Sequence, residues 1–325
     1  MRVAIAGLGS AAIRGHLPAL SSLAADELVE VVGVCDPKAQ RHVTAAGLTA
    51  GSPVFTDVET MLDTVVPELL VVATHPAAHV DLTLAGLRRG VDVVCEKPVT
   101  VTNQEQRALA DAKANHPSGV VVPLHQYVYS VGWHQLEALG RAAIRAPDTF
   151  RLTVRVERPG TDPHAASSWR SDPASGGGLA DHGVHYLALA RTLGAEMTTL
   201  HAGRAFDHLG RERVTATVQI GNGTLELDID YRAGRRRTTV LMETNSARMR
   251  WQGNRLTSEN SGTFRRRIVP ALSDRAYVDG LYLDLYTDLL RHRSQSEWRA
   301  ARWDDVLTLG AVLADLQAVL GVAQR

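Results

Sequence analysis

The spacing of apolar and polar positions changes character part-way along this 325-residue chain. Up to about residue 124 the apolar positions come as short, largely continuous runs, among them RVAIAGL at 2–8, ELVEVVGVC at 27–35, LLVVA at 69–73, VDVVC at 91–95 and VVVPL at 120–124. Runs of that kind fit strands buried on both faces of a parallel sheet. The intervening stretches read as helices, one opening at Asp57 and others at 77–89 and 103–114. Six strands alternating with helices predict a doubly wound parallel α/β sheet.

From about Tyr127 the pattern becomes strict alternation. RLTVRVE at 151–157 has apolar and charged residues in turn, the mark of a sheet with one wet face. Similar runs follow at 199–205, 214–220, 224–231, 238–243 and 247–251, with turn signals such as Gly221-Asn222-Gly223 between them. They predict a second, mostly antiparallel sheet, flanked by helices at about 278–291 and 304–319. The expected domains are 1–124 and 125–325, an α/β domain followed by an α+β domain, with the final helix packing back on the first. No internal repeat or low-complexity tract interrupts them.

The run at 91–98, VDVVCEKP, is the most informative strand. Pro98 has no N–H for a ladder and biases Lys97 away from helical dihedrals, so the strand ends there. Lys97 then stands at the carboxyl end of a central strand, where open α/β sheets bind ligands. Composition sharpens this. Of 35 basic residues only Lys38, Lys97 and Lys113 are lysines, and the rest are arginines. Arginine cannot give up its proton in a protein, whereas a partly buried lysine can be tuned.

Charge narrows the partners. Net charge is zero and the isoelectric point near 7.3, so no global field favours nucleic acid or an anionic membrane. The arginine clusters at 235–237 and 265–267 read as solvated faces. No apolar run approaches the roughly 18 residues of a spanning helix, and MRVAIAGLGS leaves no room for a signal segment before the first strand, so a cytoplasmic protein is expected. Cys35 and Cys95 close predicted strands and read as small core residues.

After the first strand Gly7, Gly9 and Ala12 form GxGxxA. The first glycine permits a tight turn, the second lets a pyrophosphate approach, and Ala12 lets the next helix, from about Ala11, pack close. That helix aims free N–H groups and its positive end at the phosphate. The second strand ends on Asp36, 24 residues after Ala12, placed to accept from ribose hydroxyls and to repel a 2'-phosphate. A Rossmann domain holding NAD follows, with NADP also open because Lys38 and Arg41 lie near. Thr74, His75, Pro76 and His79 follow the fourth strand and are expected to line the nicotinamide end, the histidines serving equally well as helix caps or cleft wall.

A second cluster lies at 169–185, WRSDPASGGGLADHGVH. Its glycines mark a tight turn before a helix running to about Leu193. Asp181 and His185 are four apart and predicted to share one face. Asp181, His182 and His185 could hold a divalent metal, but no Cys or Glu pattern completes a ligand set. They could form a structural polar cluster. The preferred reading sets Asp181 and His185 facing Lys97 across the cleft between domains, with no metal.

Taken together, the Gly7–Ala12 turn, Glu96-Lys97-Pro98 and the 169–185 run resemble the Gfo/Idh/MocA family of glucose-fructose oxidoreductase and inositol dehydrogenase-like enzymes. The resemblance spans almost the whole chain. It implies that Lys97 is catalytic, with a Lys-Pro peptide that is often cis, that Asp181 binds substrate and that His185 is the catalytic histidine. It further implies a cofactor set of Gly7, Gly9, Ser10, Ala11, Ala12, Asp36, Thr74, His75, Pro76, His79, Glu96, Lys97 and Pro98. Lys97, His125, Gln126, Trp169, Arg170, Asp181 and His185 would bind a sugar, cyclitol or related polyol for hydride transfer. This chain departs from the family's pattern at His125-Gln126-Tyr127, often NxR-like, and at Ala188, often acidic. An NAD-retaining glycosidase and a silent dinucleotide sensor are the alternatives, and a homodimer or homotetramer through the second sheet is expected.

Overall fold

The computed structural model describes residues 1–38, 51–146, 148–159, 176–260, 263–269 and 275–321, the side chains of 275–279 excepted. The chain forms two compact units. The first comprises residues 1–100, 104–126 and 278–307. Its sheet has strands β1 (Arg2–Ala6), β2 (Glu30–Cys35), β3 (Val54–Phe55), β4 (Leu69–Val72), β5 (Asp92–Cys95) and β6 (Val121–Pro123) in the order β3-β2-β1-β4-β5-β6. Every pairing is parallel. The order reverses between β1 and β4, the topological switch point of a Rossmann sheet. Val3 to Ala6 and Leu69 to Val72 are wholly buried, as the unbroken apolar runs require.

Among the described residues these strands are connected by helices α1 (Leu17–Ala25), α2 (Val58–Val65), α3 (His79–Leu87) and α4 (Asn103–Asn115). Asp57 caps α2, its Oδ1 accepting from Thr60 N at 2.8 Å, which is why the helix opens there. A π turn at Ala12–His16 precedes α1. Residues 278–307 join this unit. They supply most of α7 (Arg275–His292) and the first half of α8 (Ser296–Val319). The anchors are ionic and polar: Arg299 Nη2 meets Asp92 Oδ1 at 2.8 Å, and Trp303 Nε1 donates to Gly119 O at 3.1 Å.

The second unit comprises residues 101–103, 127–277 and 308–325. Its eight-stranded sheet is built from β7 (Phe150–Glu157), β8 (Met197–Phe206), β9 (Glu212–Ile220), β10 (Gly223–Asp230), β11 (Arg237–Thr244), β12 (Ala247–Gln252), β13 (Arg255–Asn260) and β14 (Thr263–Ile268). The order is β14-β13-β12-β11-β7-β10-β9-β8, antiparallel except for β7 with β10. One face is apolar, with Val154, Val156, Leu225, Leu227, Met242 and Trp251 buried. The other carries cross-strand ion pairs such as Arg213 to Asp228 at 2.8 Å.

One helix and the last two strands, β13 and β14, escape the alternation pattern. Helix α5 (Val131–Arg145) buries Gly132 and Gly140, which look like breakers. A Cβ at Gly132 would lie 2.3 Å from the Trp251 ring, and one at Gly140 2.9 Å from Leu193 and Met242, so close packing demands these glycines. Strand β14 is exposed throughout and carries no alternation to read.

Candidate functional site

In the first unit the parallel strands put the predicted residues on one sheet edge. Gly7 follows β1, Asp36 β2, Thr74 β4, Lys97 β5 and His125 β6. The Gly7 turn is closed by Gly7 N donating to Cys35 O at 2.8 Å, with φ at +94°. A Cβ there would lie 2.5 Å from the Ala73 carbonyl oxygen, whereas at Gly9 nothing lies within 4 Å. Gly7 is therefore needed by the protein itself, while Gly9 leaves open space. Ala12 is fully buried. Asp36, 1% exposed, accepts from Leu8 N and Lys38 N, each at 2.9 Å. These bonds tie the glycine turn to the acidic strand end.

The histidines after β4 have separate tasks. His75 Nδ1 accepts from Ala77 N at 3.2 Å, capping the 3-10 turn Pro76–Ala78. His79 Nδ1 is 2.7 Å from Pro98 O and its Nε2 3.2 Å from Thr74 O, so it bridges the loops after β4 and β5. Expected as a cofactor-lining residue, it is 1% exposed with both ring nitrogens facing backbone carbonyls. The Lys97–Pro98 peptide is cis and Lys97 is half-buried. Glu96 turns inward, its Oε1 accepting from Tyr282 Oη at 2.7 Å.

His125 Nδ1 and Gln126 Oε1 are buried without a hydrogen-bond partner among the described residues, polar atoms available to a ligand. Burial, then the charges of Arg302 and Lys97, push the His125 imidazole down to about 3. The folded protein keeps it neutral while the unfolded chain protonates near 6.5, so its contribution is lost as pH falls from about 6.5 toward 3. Urea titrations should show wild type losing on the order of 3 kcal/mol more than His125→Gln between pH 7 and 4. Equal slopes of stability against pH would remove His125 from this account.

In the second unit the glycine run has a physical cause. Gly176 and Gly177 have φ of +95° and +55°, and a Cβ on Gly177 would lie 2.8 Å from the Glu212 carboxylate. Glu212, buried and paired with Arg204, accepts from Gly178 N at 2.7 Å. The helix beyond begins as a π turn, Leu179–Gly183, before α6 (Val184–Arg191). The simple α spacing expected for Asp181 and His185 is thus modified, because the first turn closes at i→i+5. Tyr231 Oη donates to Asp181 Oδ2 at 2.7 Å, and His182 Nε2 lies 3.6 Å from the same oxygen. Burial and the Asp181 charge hold the Tyr231 phenol well above its ordinary pKa. The His185 ring stacks on Tyr127, centroids 4.4 Å apart. Tyr231 was not foreseen, although the alternation of β10 continues inward to it. Trp169 and Arg170 lie outside the described residues.

Residues 1–123 match the model of an oxidoreductase family with an NAD-binding Rossmann fold, Gfo/Idh/MocA. The chain is 25% identical over 214 residues to D-glucoside 3-dehydrogenase of Escherichia coli K12, covering 66% of this chain and 60% of that one. It is 28% identical over 197 residues to D-apiose dehydrogenase of Paraburkholderia graminis, covering 58% and 48%. The chain thus spans about half the length of such relatives. A solved 3-ketoreductase of Actinomadura kijaniata, in complex with NADP and TDP-benzene, shares the fold at a TM-score of 0.80 and 16% identity, with 98% of each chain covered. The residues present fit the family's dinucleotide: a glycine turn with open space at Gly9, a close-packed Ala12 and an acidic end to β2. No described helix is long and apolar enough to cross a membrane.

Proposed function

We propose that the protein is an NAD(P)-dependent oxidoreductase acting on a secondary alcohol, or the matching ketone, of a sugar, cyclitol or similar polyol. The observation that carries this reading is the half-buried Lys97 on the same sheet edge as the Gly7–Ala12 turn. When bound, the dinucleotide supplies the hydride acceptor or donor. Gly7, Gly9 and the residues to Ala12 hold its pyrophosphate, and Asp36 its ribose. Lys97 donates a hydrogen bond to the reacting oxygen and stabilises charge there. His185 takes the hydroxyl proton in the oxidative direction, a role suited to imidazole near neutrality. Asp181, anchored by Tyr231, accepts from a neighbouring hydroxyl. The names of the glucoside and apiose dehydrogenases support a polyhydroxylated substrate.

The test is reduced-nicotinamide absorbance over a panel of pyranosides, cyclitols and their keto forms, with NAD and with NADP. Silence across the panel in both directions would sink the reading. Asp36 supports a preference for NAD. Asp36→Asn removes the charge and leaves one acceptor oxygen where Leu8 N and Lys38 N each meet a carboxylate oxygen, and should narrow the ratio of NAD to NADP kcat/KM by about tenfold. An unchanged ratio would place discrimination elsewhere. Self-association through the second sheet completes the proposal, supported by Phe264 and Ile268, each 67% exposed on edge strand β14.

A further inference from the structure

Strand β9 opens on a residue that its own pattern does not call for. Its buried positions are Glu212, Val214, Ala216, Val218 and Ile220, and four of these five are apolar, as the inner face of a half-wet sheet requires. Glu212 instead puts a carboxylate there, 4% exposed, with Arg204 Nε 2.5 Å from its Oε1. A buried ion pair seldom holds a fold better than apolar side chains of the same volume, because desolvating two charges offsets their attraction. Its value lies in direction: a buried charge whose partners are all met fixes the groups around it. Glu212 is directed at the stretch that leads to Asp181.

Its side chain and its backbone reach Asp181 by separate routes. Oε2 accepts from Gly178 N at 2.7 Å, immediately before the π turn Leu179–Gly183 that carries Asp181. The backbone carbonyl accepts from Tyr231 N at 2.9 Å, and Tyr231 Oη donates to Asp181 Oδ2 at 2.7 Å. Burial and the neighbouring negative charges keep that phenol protonated, so it stays a donor. Gly178 fits between the two routes only as glycine, since a Cβ there would lie 3.0 Å from both Glu212 Oε2 and the Tyr231 ring. Gln317, also 4% exposed, supports the same turn, its Nε2 donating to Gly176 O at 2.7 Å and its Oε1 accepting from Arg204 Nη2 at 3.4 Å.

We infer that Glu212 is a positioning residue for Asp181, its side chain fixing where the π turn begins and its backbone fixing where Tyr231 stands. The consequence for polyol binding rests on the role proposed for Asp181. The placement of the Asp181 carboxylate does not.

Tyrosine labelled with carbon-13 at Cζ reports the Tyr231–Asp181 bond by nuclear magnetic resonance, because the shift of that carbon follows hydrogen bonding at the phenol oxygen. The chain has seven tyrosines, and Tyr231→Phe identifies the signal. Asp181→Asn sets the position the signal takes when the charged acceptor is gone. Glu212→Asp loses a single methylene, keeps the charge beside Arg204 and the backbone bond to Tyr231 N, and draws the carboxylate away from Gly178 N. Amide exchange at Gly178 should then quicken about tenfold, and the Tyr231 signal should move about half-way or more toward its Asp181→Asn position. The signal of Tyr186, buried in the same unit, should stay in place. An unchanged exchange rate, an unmoved Tyr231 signal, or equal movement of Tyr186 overturns the inference, the last meaning simple loosening. On the fastest polyol of the panel Glu212→Asp should raise KM for the polyol about three- to tenfold with KM for NAD unchanged. If Asp181→Asn keeps wild-type polyol kinetics, the role proposed for Asp181 falls while the Tyr231 signal still decides the inference.

Discussion

Lys97→Ala should lower kcat on the polyol substrate by about 10²- to 10⁴-fold, the usual range for a residue that supports proton movement at the reacting oxygen. NAD affinity should stay within a few-fold, because the Gly7–Ala12 turn and Asp36 are intact. Lys97→Arg should rescue little. A guanidinium is planar, cannot deprotonate and is a poor substitute for a compact ammonium at this half-buried strand end. Pre-steady-state hydride transfer measured by stopped-flow absorbance, beside NAD binding by calorimetry, separates the two quantities. Full turnover in Lys97→Ala would remove Lys97 from the mechanism and, with it, the observation on which the proposed function stands.

The two glycines of the turn should fail in different ways. Gly7→Ala forces a residue with a Cβ to a φ of +94° and sets that carbon 2.5 Å from a backbone oxygen. Positive φ alone costs on the order of 1–3 kcal/mol, and the clash adds to it. Urea unfolding of the apoprotein should show a loss of about 3 kcal/mol or more, with or without nucleotide. Gly9→Ala meets nothing within 4 Å and should unfold like wild type, yet weaken NAD binding by about tenfold or more, because its Cβ enters the space left for the pyrophosphate. Equal stability of both variants would show that the turn relaxes freely. Unaltered NAD affinity in Gly9→Ala would move the phosphate site elsewhere.

How much of this was legible depended on distance along the chain. The Gly7, Asp36 and Lys97 positions are strand ends, and a strand end is a local property: an apolar run stops at glycine, carboxylate or proline. Parallel pairing then carries each of them to one edge. The alternation of β7, β9 and β10 was equally readable, since a half-buried strand must change polarity at every residue. Helix α5 was hidden because its packing face contains glycines chosen for the Trp251 ring, and β14 because neither of its faces is buried.

The sequence by itself determined the two architectures, the dinucleotide turn and the singular lysine, because hydrophobic period, backbone permission at glycine and proline, and side-chain ionisation all act within a few residues. Only the tertiary structure decided what holds these groups. Tyr231 reaches Asp181 from 50 residues away, and Tyr282 reaches Glu96 from 186 residues away. A buried hydrogen bond between such distant partners leaves no periodic trace in the chain. It forms only when folding excludes water and leaves each polar atom the other as its remaining partner.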